Sequence, residues 1–221
     1  MEIEHCSFPD NILYDPDNFA WAKVEGNGYV RVGVNSILSS LSGKLSKVSL
    51  KGINQNITKG RSLGTIESGR YFGVVRSPLT GTVVEMNEEV VNNPRLVNNF
   101  PYTKGWISLI KNEKLNLEIE NLYCIKNCQD IMRAQIKKLR IRCFLAFPDH
   151  EMFEIGVECS STLAKLDDLL KQVEIGDVIH VVSDDVTADL EMMRWSEQRS
   201  QPILEIRREK NLFHILVKKA S

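Results

Sequence analysis

Short runs of alternating apolar and polar residues, broken by turns, fill the chain from Phe19 to about Lys111. Alternation with a period of two is typical of strands that bury one face. The segment "GNG" at residues 26–28 separates two such runs, which predicts a hairpin. One helix-like segment, "NSILSSLSGK", interrupts the strands. The first half is therefore predicted to be mainly β, with a short helix over an open barrel mouth.

A helical pattern follows at residues 115–139, a stretch without glycine or proline. Its apolar residues recur at roughly helical spacing, which predicts one helix or two. These residues are Leu122, Ile125, Ile131, Ile136 and Leu139. The next run, "RIRCFLAF", indicates a strand.

The last third of the chain alternates between strand and helix patterns. A strand and loop in "PDHEMFEIGVECSS" precede a helix in "TLAKLDDLLKQVEIGD", and the apolar strand "VIHVVS" follows. A second helix, "DDVTADLEMMRWSEQR", leads to a hairpin of "PILEIRREK" and "NLFHILVKK". This order predicts a two-layer α/β sandwich. We place the two domains at residues 1–138 and 139–221.

Composition narrows the class of protein. The chain has 221 residues, of which 43% are hydrophobic, and a net charge of -1. It is long enough for two modest cores, and its overall charge gives no general attraction for nucleic acid or anionic membranes. The N-terminus lacks a basic flank before an apolar run, and no window approaches 18 apolar residues, so a cytoplasmic protein is expected. Its five cysteines are then expected to be free thiols, namely Cys6, Cys124, Cys128, Cys143 and Cys159.

The first half carries a family resemblance. The stretches "SPLTGTVVEMNEEVVNNPRLVN" and "FPYTKGW" follow one another with the spacing found in the H-protein of the glycine cleavage system, and the resemblance covers residues 8–135. It implies a lipoyl-domain fold, a flattened barrel-sandwich hybrid of β-strands followed by a helical tail. In that family a hairpin tip displays the lysine to which lipoic acid is attached.

The hairpin tip of this chain departs from the family pattern at the attachment position. Glu67, Ser68 and Tyr71 match positions around the family's lysine, and Arg70 stands at the lysine's own place. Lipoylation forms an amide and needs a neutral amine, which a permanently protonated guanidinium cannot supply. Covalent lipoate is therefore not expected. Arg70 is either a neutral surface change or a binding group for an anion such as a carboxylate or phosphate, with Tyr71 and Phe72 adding an aromatic surface.

The second half, from about residue 140 to 219, is similar to the TusA family of sulfur carriers. The similarity lies in "EIGVECSSTLAKLDDLLKQVEIGDVIHVVSDDVTADLEMMRW", where a loop cysteine, Cys159, precedes the first helix. Ser160 and Thr162 replace two prolines of the family, and Phe153 and Ile155 replace its Asp and Arg. The resemblance implies that Cys159 accepts sulfur as a persulfide.

The residues around Cys159 support that role on their own. Ser160, Ser161 and Thr162 are capping residues, which places the thiol at a helix N-terminus. The positive end of the helix dipole there lowers the pKa of a thiol and favours the nucleophilic thiolate. Glu158 acts in the opposite direction. The alternative is a small, buried, unreactive cysteine.

Two further groups of residues have more than one interpretation. Cys124 and Cys128 share a helix face, but a zinc site requires two close pairs, so no metal is predicted. A resolving role toward Cys159 or simple packing remains for them. The basic run Arg133, Lys137, Lys138, Arg140 and Arg142 forms either a solvated helix face or a docking patch.

Together these patterns predict a fusion of a non-lipoylated H-protein-like domain and a TusA-like domain. It would act as a sulfur carrier or adaptor in sulfur or lipoate metabolism, or as a sulfurtransferase component, and not as a complete catalyst. The expected partners are other sulfur-transfer or lipoate-metabolism proteins, without membrane or nucleic acid, and no cofactor beyond persulfide sulfur is expected. One alternative is an H-protein homologue that carries an aminomethyl group, and another is a binding scaffold in which both sites have lapsed.

Overall fold

A computed structural model describes residues 1–221. The backbone forms two compact units, Met1–Cys143 and Phe144–Ser221. The first unit holds two adjoining apolar clusters and the second unit holds one. None of the helices has the length and the apolar character needed to cross a lipid bilayer.

The first unit is built mostly from short strands. In chain order they are β1 (Glu2–Ile3), β2 (Cys6–Ser7), β3 (Leu13–Asp15), β4 (Ala20–Gly26), β5 (Tyr29–Val34), β6 (Leu45–Leu50), β7 (Asn56–Ile57), β8 (Ser62–Ser68), β9 (Phe72–Arg76), β10 (Gly81–Met86), β11 (Ser108–Lys111) and β12 (Tyr123–Cys124). The helices are α1 (Ser36–Ser42), α2 (Glu88–Asn92), α3 (Arg95–Asn99), α4 (Leu115–Glu118) and α5 (Ile125–Leu139). Short 3-10 turns occupy Pro16–Asn18 and Ile119–Asn121.

These strands form two main sheets around one core. The larger sheet has the order β12-β3-β4-β5-β11-β10-β7, and the smaller one has the order β6-β8-β9. Val32 of the larger sheet and Ile66 of the smaller one are both fully buried in the cluster between them. A second cluster packs Trp21 and Tyr14 of the larger sheet against Met132 of α5. The predicted mainly β unit is confirmed.

The hairpin predicted at "GNG" is confirmed between β4 and β5. Lys23 pairs with Arg31 across the two strands, and the ladder closes at Gly26 and Tyr29. Asn27 and Gly28 lie between them with φ values of 51° and 75°. A two-residue turn with both φ values positive matches the right-handed twist of the flanking strands, which explains the asparagine and glycine here.

The region after residue 114 differs from its sequence pattern in two places. The helical pattern is divided, because the backbone is extended at β12, where Tyr123 pairs with Tyr14. The helix α5 then runs to Leu139 and ends at Arg140, which adopts the left-handed conformation with a φ of 54°. The prediction of a strand in "RIRCFLAF" is wrong, because residues 140–149 form no strand.

The second unit follows the predicted order of elements. It consists of β13 (His150–Glu154), α6 (Cys159–Leu170), β14 (Val178–Ser183), α7 (Ala188–Arg199), β15 (Ile203–Glu209) and β16 (Leu212–Lys218). Its sheet has the order β13-β14-β16-β15, in which only the β13–β14 pair is parallel. Leu166 of α6 and Met192 of α7 share its core with Ile179 of β14.

Candidate functional site

The hairpin of β8 and β9 ends in a tight turn that carries Arg70. The Ser68 amide N–H donates to the carbonyl of Tyr71 at 2.8 Å, which closes the turn around Gly69 and Arg70. The Ser68 hydroxyl donates to the carbonyl of Ser42 at 2.6 Å and accepts from the Arg70 amide at 3.3 Å. The turn is therefore fastened to the C-terminal end of α1.

The Arg70 side chain folds back toward α1. A Cβ placed on Gly43, the residue that caps this helix, would lie 2.5 Å from Arg70 Nε. The guanidinium group therefore lies over Gly43, beside the negative end of the helix dipole, which favours a cation. The positive φ of 68° at Gly43 also favours glycine at this position. Arg70 thus has a structural contact in addition to its exposed surface.

The other residues predicted at the tip point in different directions. The Glu67 carboxylate accepts from Lys47 Nζ at 3.1 Å on the outer face of the smaller sheet. The Tyr71 ring covers Gly73, so that any Cβ on Gly73 would collide with it. Partial burial raises the pKa of Tyr71 above its ordinary value. Of the predicted set, the side chains of Ser68 and Arg70 contact the end of α1, and Tyr71 contributes its backbone carbonyl to the turn.

One lysine lies closer to the turn than its position in the sequence suggested. Leu45 of β6 pairs with Ser68, so Lys44 stands one residue beyond the last paired position, next to the turn. Lys44 belongs to the connection between α1 and β6 and is not part of the hairpin. This proximity arises from the register of two strands more than twenty residues apart in sequence, and no local motif indicates it.

Cys159 is the first residue of α6 and lies in a buried environment with negative charges nearby. Its side chain is only 6% exposed. Burial, followed by the negative charges of Asp185 and Glu191, raises the pKa of the Cys159 thiol to about 11. Asp185 also accepts the Cys159 amide N–H at 2.9 Å, so a carboxylate already occupies the positive end of the helix dipole.

The capping of α6 predicted from Ser160, Ser161 and Thr162 is wrong. The N-cap residue is Glu158, and its side chain makes no capping hydrogen bond. Thr162 lies within the helix and donates its hydroxyl to the Glu158 carbonyl at 3.4 Å. The carboxylate that serves the helix N-terminus is 26 residues away in sequence, so residues near Cys159 could not reveal it.

We expect Cys159 to react slowly with iodoacetamide at neutral pH. A thiol whose pKa is raised from 9.0 to about 11 holds roughly 100-fold less thiolate at neutral pH than an unperturbed cysteine, and burial slows the reaction further. Peptide mass mapping after timed alkylation measures this rate, with the half-buried Cys124 of the same chain as the internal control. The rate should keep rising with pH up to about 11. Rapid alkylation of Cys159 at pH 7 would contradict this assignment.

The other cysteines correct the expectation of five free thiols. Cys6 and Cys143 form a disulfide across 137 residues, and their Cα atoms are 4.9 Å apart. Cys128 is buried, and burial raises the pKa of its thiol to about 11. No group of three or more His, Cys, Asp or Glu side chains among residues 1–221 is placed to hold a metal ion. Cys128 packs with Cys6 and Cys143 in the cluster under α5.

The basic run on α5 is partly engaged within the first unit. Arg133 and Lys137 both approach the Glu4 carboxylate, at 3.7 and 3.3 Å. Arg133 also pairs with Asp130 at 2.7 Å. The two pairs with Glu4 join the β1–β2 hairpin to the helix, and exposed ion pairs of this kind contribute little stability each. This part of the run is thus a solvated face with local partners.

A groove of about 800 Å³ on the larger sheet was not predicted. Arg31 lies 4.4 Å above the Trp106 ring, and its guanidinium donates to both Glu25 carboxylate oxygens at 2.7 and 3.1 Å. The Arg31 hydrogen bond holds the pKa of Glu25 below its ordinary value. Trp21 lines the same groove and donates its Nε1–H to the carbonyl of Pro101 at 3.0 Å. Aromatic and charged side chains line the groove together, and its Arg31–Glu25 pair is already formed, so the lining does not indicate a specific ligand.

Two sheets around one core, with a hairpin turn fastened to a short helix, form a mainly β domain of the lipoyl-like class. The family model described as "Glycine cleavage H-protein" matches residues 12–135, more than half of the chain. This protein therefore belongs to the glycine cleavage H-protein family. Members of that family are carrier proteins and not catalysts, which confirms the prediction that the chain is not itself a complete enzyme.

Individual H-proteins are similar to this chain over different shares of their length. "Glycine cleavage system H protein 2" of Aquifex aeolicus is 31% identical over 142 residues, which cover 64% of this chain and 88% of the relative. "Glycine cleavage system H protein 5" of the same organism is 39% identical over 114 residues, covering 50% and 76%. A solved H-protein structure from Mycobacterium marinum is 26% identical and aligns with a TM-score of 0.45 over 48% of this chain and 87% of its own. The family match ends at residue 135, before the second unit begins.

Proposed function

We propose that this protein is a non-lipoylated member of the H-protein family, which acts as an adaptor through protein contacts. The observation that carries the proposal is the arginine at the turn of the hairpin, where the family pattern has its lysine. A guanidinium stays protonated and its nitrogen lone pairs are delocalised, so it cannot form the amide that holds lipoate. The residues at this turn do not fit a covalent lipoyl group.

The position of the Arg70 side chain supports the same proposal. A lipoyl lysine has to extend from the turn so that its arm can reach other proteins. Arg70 instead folds over Gly43 at the end of α1, and Ser68 ties the turn to Ser42. Both contacts hold the turn against the body of the first unit.

Two other functions differ in their support. Relatives named as glycine cleavage system H proteins favour an aminomethyl carrier over a sulfur carrier, but such a carrier needs a lipoyl arm, for which Arg70 offers no attachment point. A sulfur carrier needs an accessible thiolate, whereas Cys159 is buried beside Asp185 and its pKa is raised to about 11. The resemblance of residues 140–219 to TusA rests on the sequence pattern alone. The partners we propose are proteins of the glycine cleavage system or of lipoate metabolism.

The proposal is tested by exposing the purified full chain to a lipoate–protein ligase with ATP and lipoate. The expected intact mass is unchanged, while an H-protein with a lysine at the hairpin turn gains one lipoyl group in the same reaction. A lipoyl mass increment on the wild-type chain would contradict the proposal. Peptide mapping and a Lys44→Arg variant then show whether the lysine beside the turn has accepted the group.

A further inference from the structure

The smaller sheet concentrates positive charge in a chain that is nearly neutral overall. Residues 44–76, which form β6 to β9 and the hairpin turn, contain one acidic residue, Glu67, and seven basic ones. The basic residues are Lys44, Lys47, Lys51, Lys59, Arg61, Arg70 and Arg76. Glu67 is already paired with Lys47, so the single negative charge is locally balanced. The segment that contains the three strands of the smaller sheet, together with β7 of the larger one, therefore carries six more basic residues than acidic ones, which favours approaching anionic groups.

The strand β9 is an open edge of this sheet. It pairs with β8 only, in the order β6-β8-β9. The Ser68–Tyr71 hydrogen bond sets the phase of the ladder, because bonded and non-bonded pairs alternate along antiparallel strands. Gly73 therefore directs its backbone N–H and C=O toward β8. Phe72 and Val74 direct theirs toward the open edge.

The same two residues present apolar side chains to solvent. Phe72 is 68% exposed and Val74 is 37% exposed. Phe72 lies opposite Glu67 and Val74 opposite Thr65, which places all four on the outer face of the sheet. The inner face carries Ile66 and is buried in the core. A strand added to β9 would find both backbone partners and apolar neighbours at residues 72 and 74.

The charges beside β9 determine which kind of peptide strand can pair with its open edge. Natural sheets protect open edges with charged residues, which prevents indiscriminate pairing. At β9 the flanking charges have one sign, since Arg70 precedes the strand and Arg76 ends it. A basic strand is repelled by this edge, whereas an acidic strand is attracted. Nucleic acid fits less well, because Phe72 is the only exposed aromatic ring on the strand and its backbone donors match a peptide.

We propose that the open edge of β9 binds an extended, acidic segment of a partner protein by strand addition. Backbone hydrogen bonds form at Phe72 and Val74, apolar side chains of the segment pack against the same two residues, and its carboxylates lie near Arg70 and Arg76. This inference goes beyond the proposed function and does not depend on it, since the edge is the same whether or not the turn is acylated.

The test uses a fluorescein-labelled peptide of alternating glutamate and valine, with a matched peptide of alternating lysine and valine. Fluorescence anisotropy with the full chain should show at least about tenfold tighter binding of the acidic peptide, an affinity that weakens as salt is added. Equal affinities for the two peptides would overturn the proposal. So would tighter binding of a single-stranded oligonucleotide than of the acidic peptide.

Two variants locate the binding site. Val74→Pro removes an outward N–H while leaving the ladder to β8 intact, as proline is tolerated at an edge. It should weaken the acidic peptide about tenfold. Arg76→Glu should weaken it as well, whereas the charge reversal Lys104→Glu, outside β6 to β9, should not. Circular dichroism confirms that each variant is folded.

Hydrogen exchange on the wild-type chain provides a test that needs no variant. The amides of Phe72 and Val74 should exchange more slowly when the acidic peptide is bound. Protection elsewhere with no change in β9 would overturn the proposal. Sedimentation of the free protein tests whether a second copy of this chain occupies the edge instead. A dimer that the Val74→Pro variant dissociates would assign the edge of β9 to self-association and overturn the proposal of an acidic partner.

Discussion

The Arg70→Lys variant is expected to gain a lipoyl group from a lipoate–protein ligase, whereas the wild-type chain gains none. The substitution supplies an amine at the turn, and a lysine with an ordinary pKa of about 10.4 is neutral in roughly 0.4% of molecules at pH 8. That fraction re-equilibrates rapidly, so it can be acylated to completion. A guanidinium offers no such fraction. Intact mass and peptide mapping measure the modification.

The contacts of the turn decide whether the variant is a good substrate. Ser68 continues to hold the turn to Ser42 through a hydrogen bond that does not involve residue 70. The lysine loses the contact of the planar guanidinium with Gly43 and is freer to extend. The hairpin should therefore keep its shape while the side chain becomes available.

Arg76→Lys is the matched control for this experiment. It makes the same exchange on the same hairpin, at the end of β9 away from the turn, where Arg76 donates to the carbonyl of Gly60 at 2.9 Å. This variant should remain unmodified. If Arg70→Lys also remains unmodified while a lysine-bearing H-protein is acylated, then the ligase does not recognise this turn. The loss of lipoylation would then involve more changes than the replacement of one lysine.

Local pattern accounts for most of the fold. The Asn27–Gly28 turn, the strand β14 and the helix α6 follow from period, turn chemistry and apolar runs over a few residues. The family resemblance placed Arg70 at the turn of a hairpin, and the structure has it there. These features depend on neighbours in sequence, which is the information that one sequence holds most directly.

The environment of the site could not be obtained in the same way. Cys159 carries the sequence features of a reactive thiol, yet Asp185 and burial by distant residues raise its pKa. Lys44 reaches the turn only through the register of β6 and β8. In each case the deciding group is more than twenty residues away, so its effect is set by the tertiary structure.

The five cysteines illustrate the same limit. The expectation of free thiols came from an odd count and from the compartment, neither of which says which sulfur atoms meet. Cys6 follows the β1–β2 turn and Cys143 follows the end of α5, and both join the cluster beneath that helix. Their proximity requires the whole first unit to be folded, since 137 residues separate them.

Loss of the Cys6–Cys143 disulfide is expected to destabilise the first unit by about 5 kcal/mol. The bond closes a loop of 137 residues, and chain entropy predicts a stabilisation of about this size for such a loop. Replacing both cysteines by serine removes this constraint and restores the conformational entropy of the unfolded chain. The new hydroxyl groups are also buried in an apolar cluster, which adds to the cost. The Ser40 hydroxyl, 3.4 Å from the Cys143 sulfur, offers one partner for them.

Urea unfolding followed by tryptophan fluorescence measures this effect. Trp21 and Trp106 lie in the first unit and Trp195 lies in the second, so a Trp195→Phe background isolates the first transition. The Cys6→Ser/Cys143→Ser variant should unfold at a much lower urea concentration than the parent, with a similar slope. Cys124→Ser, at a half-buried cysteine outside the disulfide, is the control and should shift the midpoint little.

Adding a dithiol reductant provides an independent comparison in the same background. It transfers two electrons and two protons to the disulfide, so the parent should lose stability and approach the double serine variant. The double variant itself should not respond to the reductant. If the parent shows the same midpoint with and without reductant, then either the bond resists reduction or it adds no stability. Mass analysis of alkylated thiols distinguishes these cases, because Cys6 and Cys143 react with the alkylating reagent only after the bond is reduced. An unchanged midpoint with both residues alkylated would show that the disulfide does not stabilise the first unit.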